Sequence, residues 1–107
     1  DRHEDPIREV AEGMWTLSGL LRPDEIEDLT EVQLPEDEDY ETVAGLIGFV
    51  LGRVPGYGDS VQVEATGPEK QPLLADLTVL RMDGLRVDRV RLAISRPEPE
   101  PSGEGEK

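Results

Sequence analysis

The chain reads as α+β: a small, mainly antiparallel four-stranded sheet with two helices packed on one face, in the order strand-helix-helix-strand-strand-strand. Three observations predict this class. Leu34–Ser60 passes from an acidic lead-in through a glycine-studded apolar helix to a Pro-Gly-Tyr-Gly-Asp turn and a strand entry. Asp83-Gly84, set between two β-rich runs, is the strongest short hairpin signal in the chain. The last three strands follow one another through hairpin connections, which makes them antiparallel.

Taken in order, Asp1–Pro6 is polar and acid-rich and reads as a linker from upstream domains, with Ile7 and Val10 as the first anchoring residues. Met14–Ser18 alternates as a short strand with Trp15 and Leu17 on one face. Pro23 suits the first turn of a helix over Pro23–Leu29, where Ile26 and Leu29 form a small apolar face. Leu34 is expected to plug the core just before the acidic run. Asp39 is the expected N-cap of the second helix, with Glu36, Asp37, Glu38 and Glu41 clustered at the positive end of its dipole. Val43, Ile47, Val50 and Val54 recur at helical spacing and predict its apolar stripe. Gly45, Gly48 and Gly52 share another face at a cost of roughly 1 kcal/mol each relative to Ala, so that bare face is expected against a neighbour, a sheet. The helix should end near Arg53, because Pro55 cannot continue it.

Gly56-Tyr57-Gly58 reads as a turn that needs positive φ. Ser60–Thr66 follows as a strand with Val61, Val63 and Ala65 inward, Gly67–Pro72 as a loop, and Leu73–Met82 as the next strand. Leu85–Ile94 returns, but Leu85 and Val87 fall out of phase with Val90, Leu92 and Ile94. A β-bulge near Asp88 would bring both sets onto one face. Pro97–Lys107 is Pro, Glu and Gly without an apolar residue and is expected to be a disordered acidic tail. The folded domain is therefore expected over 7–96.

At 107 residues the chain is one domain with a single modest core. Its 25 acids against 11 bases give a net charge of −14. That argues against nucleic acid, which needs a basic footprint, and against docking on anionic lipid. No cysteine is present, which excludes disulfides, thiolate metal sites and a cysteine nucleophile. No run reaches the ~18 apolar residues of a membrane helix. The start at Asp1, without Met, fits a piece of a longer protein.

Three blocks carry a family resemblance. Asp39–Gly45 with Arg53–Ser60 gives the acidic stretch, Tyr-Glu-Thr, small residue and Gly, helix, Pro and Gly-Asp strand entry. Leu77–Leu92, LTVLRMDGLRVDRVRL, gives the closing hairpin, and Gly13–Gly19, GMWTLSG, precedes a short acidic helix. Together they resemble the transporter-associated domain found at the C-terminus of CorC/HlyC proteins, membrane proteins of the magnesium and cobalt efflux and hemolysin-like type. The resemblance covers Ile7 to Ile94. It implies a related α+β fold, similar to a subdomain of FAD-linked oxidases, and a cytoplasmic regulatory module on a bacterial plasma-membrane protein. The implied partners are an upstream pair of CBS domains and a membrane domain of the same chain, or a second copy in a homodimer. The fold likeness also implies flavin adenine dinucleotide as a ligand, although no pyrophosphate-cradling motif is present. Relatives often carry an acid before the glycine of the first strand's turn, where this chain has Ser18.

No catalytic arrangement is expected. His3, the sole histidine, sits in the linker, and Ser18 and Ser60 have no base at a recognisable spacing. Glu36, Asp37, Glu38, Asp39 and Glu41 are the candidate divalent-metal residues, for a weak Mg²⁺ or Ca²⁺ contact; the run lacks the Gly of an EF-hand. Helix-end charge and solvation explain the same run. Arg81, Arg86, Arg89 and Arg91 concentrate bases on one hairpin as a candidate anion or partner-docking stripe, with Tyr57 as an interface aromatic. Cross-strand pairing with Asp76, Asp83 and Asp88 is the alternative for the arginines.

Overall fold

The computed structural model describes residues 5–97. The readings for His3, for the start of the linker and for the tail beyond Pro97 lie outside the described residues. Five strands and two helices follow in order: β1 (Ile7–Ala11), β2 (Met14–Ser18), α1 (Pro23–Thr30), α2 (Val43–Leu51), β3 (Ser60–Thr66), β4 (Pro72–Asp83) and β5 (Arg86–Ser95). A short 3₁₀ turn at Pro68–Lys70 interrupts the loop before β4. The strands form one antiparallel sheet in the order β1-β2-β5-β4-β3.

The class is the one expected, with one strand more. Ile7 and Val10 do not merely anchor a linker: Ile7 stands opposite Leu17 and Arg8 opposite Thr16 in a β1–β2 hairpin. Only Ile7 of this edge strand is half-buried and the other four residues are exposed, so no apolar alternation advertised it.

Directly opposed residues share a face, so the register sorts the sheet into two sides. Leu17, Val90 and Val79 form one inward row, Leu92, Leu77 and Val61 the next, and Ala75 with Val63 and Leu73 with Ala65 follow. Ile26 of α1, Val43, Leu46 and Ile47 of α2, and the loop residues Val32 and Leu34 complete the same core, each at most 1% exposed. Both helices therefore cover one face. The bulge near Asp88 is present, matched by an extra residue on β4 between Val79 and Arg81, and it lets Val87 and Val90 both point inward. Leu85 does not join them; it is 83% exposed in the turn. That turn is Gly84-Leu85, closed by Asp83 opposite Arg86, with Gly84 at φ 65° as a type II′ loop requires at its first central position.

The second helix differs from expectation in three ways. Its N-cap is Thr42, whose hydroxyl accepts from the Gly45 N–H at 3.2 Å; Asp39 lies a turn upstream with its own N–H bonded to Asp37 Oδ1. No acid lies in the helix's first turn, so the acidic run does not sit on its N-terminus. Val50 and Val54 face solvent, and Leu46 takes the buried place. The glycines do not press on the sheet. Gly45 leaves room for Tyr40, Gly48 for the Arg53 carbonyl and Pro55, and Gly52 is the left-handed C-cap with open space around it. In α1 the apolar face reduces to Ile26, because Leu29 is exposed.

Candidate functional site

The sheet face away from the helices is polar. One row runs across all five strands: Arg8, Thr16, Arg91, Thr78 and Ser60. Beside it, Ser18, Arg89 and Arg81 oppose one another on β2, β5 and β4. On the far side of the first row come Met14, Ala93, Asp76 and Gln62. Antiparallel alternation places most of these residues here, and the β4–β5 irregularity at Leu80 and Asp88 sets Arg81 and Arg89 opposite each other on the same face.

The four hairpin arginines take separate roles. Arg81 Nε donates to Asp88 Oδ2 at 2.6 Å, and Arg86 at the hairpin tip reaches Asp83 at 3.8 Å. Arg89 is only 8% exposed, with Nη1 donating to the Asp5 carbonyl at 3.0 Å and Nη2 to Thr16 Oγ1 at 3.3 Å. Arg91 is exposed on the open face. The expected pairing with Asp83 and Asp88 is present, while Asp76 accepts from Gln62 Nε2 at 3.1 Å. Arg8, just past the expected linker and not among the candidate arginines, joins them because β1 pairs with β2. The signal that could have found it is the Gly13 turn between two short strands, with Gly13 at φ 74°.

Tyr57 stands apart from the arginines, 80% exposed in the turn after α2. Phe49 and Val50 on α2 and Val54 just after it are further apolar side chains open to solvent. Phe49 also meets Tyr40, ring centroids 5.4 Å apart.

The acidic run occupies the loop ahead of α2. Asp37 bridges to Tyr40, and Tyr40 Oη donates to the Pro35 carbonyl at 2.9 Å. Partial burial, with Asp37 and Glu36 adding negative potential, raises the Tyr40 phenol above its ordinary value. A shallow recess of about 270 Å³ is lined by Arg22, Glu36, Asp37, Tyr40 and Glu41. Among the described residues no three His, Cys, Asp or Glu side chains gather where they could hold a metal ion. A larger open cleft, about 620 Å³, lies between the Gln33–Glu36 loop and the β3–β4 end, where Gln33 and Thr66 exchange backbone hydrogen bonds of 2.7 and 2.9 Å.

Residues 8–96 match the sequence profile of the CorC_HlyC transporter-associated domain. The chain belongs to this CorC/HlyC family. A UPF0053 protein of Mycobacterium tuberculosis is 37% identical over 97 residues, which are 86% of this chain and 21% of that protein. The UPF0053 protein YegH of Escherichia coli is 36% identical over 62 residues, 58% of this chain and 11% of its own length. The chain thus spans about a fifth of the first of these curated relatives and about a tenth of the second. The solved CorC_HlyC domain from Corynebacterium glutamicum superposes with a TM-score of 0.74 at 23% identity, over 85% of this chain and 100% of that one. The CorC_HlyC domain of a Xylella fastidiosa hemolysin, solved in complex with Mg²⁺ and Mn²⁺, gives 0.59 at 19% identity, over 88% and 100% of the two chains. This CorC/HlyC domain therefore shares the family's α+β fold. Among the described residues it has no helix long and apolar enough to cross a membrane.

Proposed function

We propose that this domain is a non-catalytic regulatory and interaction module of a CorC-like membrane protein. It modulates divalent-cation transport, of Mg²⁺ or Co²⁺, through contacts with neighbouring domains or a second subunit on the cytoplasmic side. The observation that carries this reading is α2. Its sequence, VAGLIGFVL, contains no polar side chain. A helix apolar all round belongs in an interior, yet Phe49 and Val50 are 50% and 46% exposed, and just beyond the helix Val54 and Tyr57 are 59% and 80% exposed. Aromatic and aliphatic groups in such a patch are what an interface core is made of. The relatives are several times longer than this chain, so neighbours within one polypeptide are available to cover it.

The test uses the full-length parent reconstituted in vesicles, with Mg²⁺ efflux followed by an indicator dye. Val54→Gln/Tyr57→Ala should change the transport rate or its response to Mg²⁺ while the domain's own melting temperature holds. Transport identical to wild type would remove the α2 surface from regulation.

A weak cation contact at the acidic run is the second reading, favoured by the Xylella domain solved with Mg²⁺ and Mn²⁺. Mg²⁺ retains several waters and uses one or two carboxylates, so it does not require three converging acids. A melt with and without millimolar Mg²⁺ tests it: a stabilisation lost in Asp37→Asn/Asp39→Asn supports a contact at Glu36–Glu41, and coincident curves remove it.

A further inference from the structure

On the face opposite the helices, we propose that Arg8, Thr16 and Arg91 form a binding site for one compact phosphate group, with Arg89 holding the threonine in place. The three residues stand side by side on β1, β2 and β5, Arg8 and Arg91 each directly opposite Thr16. Neighbouring strands are ~4.8 Å apart, so the two arginine Cα atoms are about 10 Å apart with the threonine midway. Both arginines are exposed, and among the described residues neither has a carboxylate within ion-pair distance. This occurs in a chain with 25 acids and 11 bases, where a paired surface arginine is the ordinary outcome. The acids of adjoining positions are engaged elsewhere, Asp76 by Gln62 and Asp88 by Arg81.

Arg89 supplies the second observation. Its side chain is buried, and its guanidinium spends one donor on the Asp5 carbonyl and another on Thr16 Oγ1. A buried cation without a carboxylate is costly, and negative charge brought near it recovers part of that cost. The bond also fixes the direction of the threonine hydroxyl. Because Oγ1 accepts from Arg89, its own hydrogen is left to donate, and no acceptor for it is present among the described residues. Two long, exposed guanidinium side chains on the strands flanking a polarised O–H can close on one point from three sides. That matches a tetrahedral group with several acceptor oxygens better than a planar carboxylate. The net charge of −14 works against extended polyanions such as nucleic acid, an anionic membrane or a polyglutamate segment, and penalises a single compact group least.

The site lies away from the α2 surface, and its test is independent of transport. The full 107-residue chain, labelled with ¹⁵N, is titrated with inorganic phosphate at low ionic strength, with acetate and an oligoglutamate peptide as counter-probes. Saturable shifts confined to Arg8, Thr16 and Arg91, side-chain Nε signals included, are expected. Arg8→Gln/Arg91→Gln should abolish them, and Thr16→Val should weaken binding about tenfold, the worth of one hydrogen bond to a charged group. Three results overturn the proposal. One is the absence of saturation. Another is shifts of equal size at Arg53 and Arg86, which signify general screening. The third is saturation by oligoglutamate at lower concentration than by phosphate, which makes the face a docking surface for an acidic protein.

Discussion

Arg53 and Asp59 close the turn that carries the chain from α2 into β3. The guanidinium meets the carboxylate with two parallel bonds, Nη1 to Oδ2 at 2.8 Å and Nη2 to Oδ1 at 3.1 Å. The same Oδ2 accepts from the Gly56 N–H at 2.7 Å, so one carboxylate holds both ends of the Pro-Gly-Tyr-Gly segment. The β3 entry is fixed separately, with Asp59 and Gly58 exchanging backbone bonds with Val79 at 2.8 and 3.0 Å.

Those hydrogen bonds, from Arg53 first and Gly56 second, hold the Asp59 carboxyl below its ordinary value of 3.8. A depressed carboxyl contributes stability that is present above the unfolded-state pKa and is lost as pH falls through the folded one. Asp59→Asn should therefore melt below wild type at neutral pH, and the two melts should converge at pH well under 3.8. The pair is open to solvent, so the gap should be modest and shrink in concentrated salt. Melting curves at the two pH values decide it; a gap that persists in acid would mean the asparagine disturbs the turn itself.

Thr42, not Asp39, should be the residue on which α2 depends. Removing the hydroxyl in Thr42→Ala leaves the Gly45 N–H without its partner and should cost about 0.5–2 kcal/mol. Asp39→Ala touches no helical N–H and should stay within about 0.5 kcal/mol of wild type. Urea denaturation of both variants ranks them directly. Equal losses would restore the acidic run to a helix-capping role.

Two glycines make a sharper contrast. A Cβ on Gly19 would stand 2.2 Å from the Val87 carbonyl oxygen, a backbone atom that cannot rotate away. Gly19 also donates to the Asp88 carbonyl at 3.0 Å and accepts from the Ala44 N–H at 3.1 Å, tying β5 to α2. Gly19→Ala should cost about 1–3 kcal/mol or more, through forced movement of both elements. Gly52→Ala meets open space and pays only for the left-handed φ of 74°, about 1–2 kcal/mol. The distinguishing readout is local: amide shifts should spread across β5 and the start of α2 in Gly19→Ala and remain at the end of α2 in Gly52→Ala.

Elements with a strong period or a strong stop were legible from residues alone. Met14–Ser18 and Ser60–Thr66 stand as expected, β4 is longer by one residue at each end, and the Val87/Val90 phase change located the bulge. What the residues hid is tertiary. β1 has no apolar period because it is an edge strand that turns only Ile7 towards the core, and without β1 there is no reason to set Arg8 beside Arg91. The glycine face of α2 suggested a sheet, yet a single side chain, Tyr40, and the helix's own exit fill that role. Thr42 and Asp39 are both good caps, and only the path of the chain from Leu21, whose carbonyl takes the Val43 N–H at 2.8 Å, chooses between them.

Tyr40 provides the alkaline counterpart of Asp59. Burial is the larger cause of its raised value, and the charges of Asp37 and then Glu36 add to it. A phenol whose folded value lies above 10.0 contributes stability that is present below that value and is lost as pH rises through the folded one. Tyr57→Phe leaves Tyr40 as the only tyrosine, so its ionisation can be followed alone in the ultraviolet. The midpoint should lie above 10.0. Adding Glu36→Gln/Asp37→Asn should bring it part of the way down, because the phenol remains partly buried against Phe49 and bonded to the Pro35 carbonyl. A midpoint unmoved by the two neutralising changes would assign the whole shift to burial and place the acidic loop's charges out of reach of the ring.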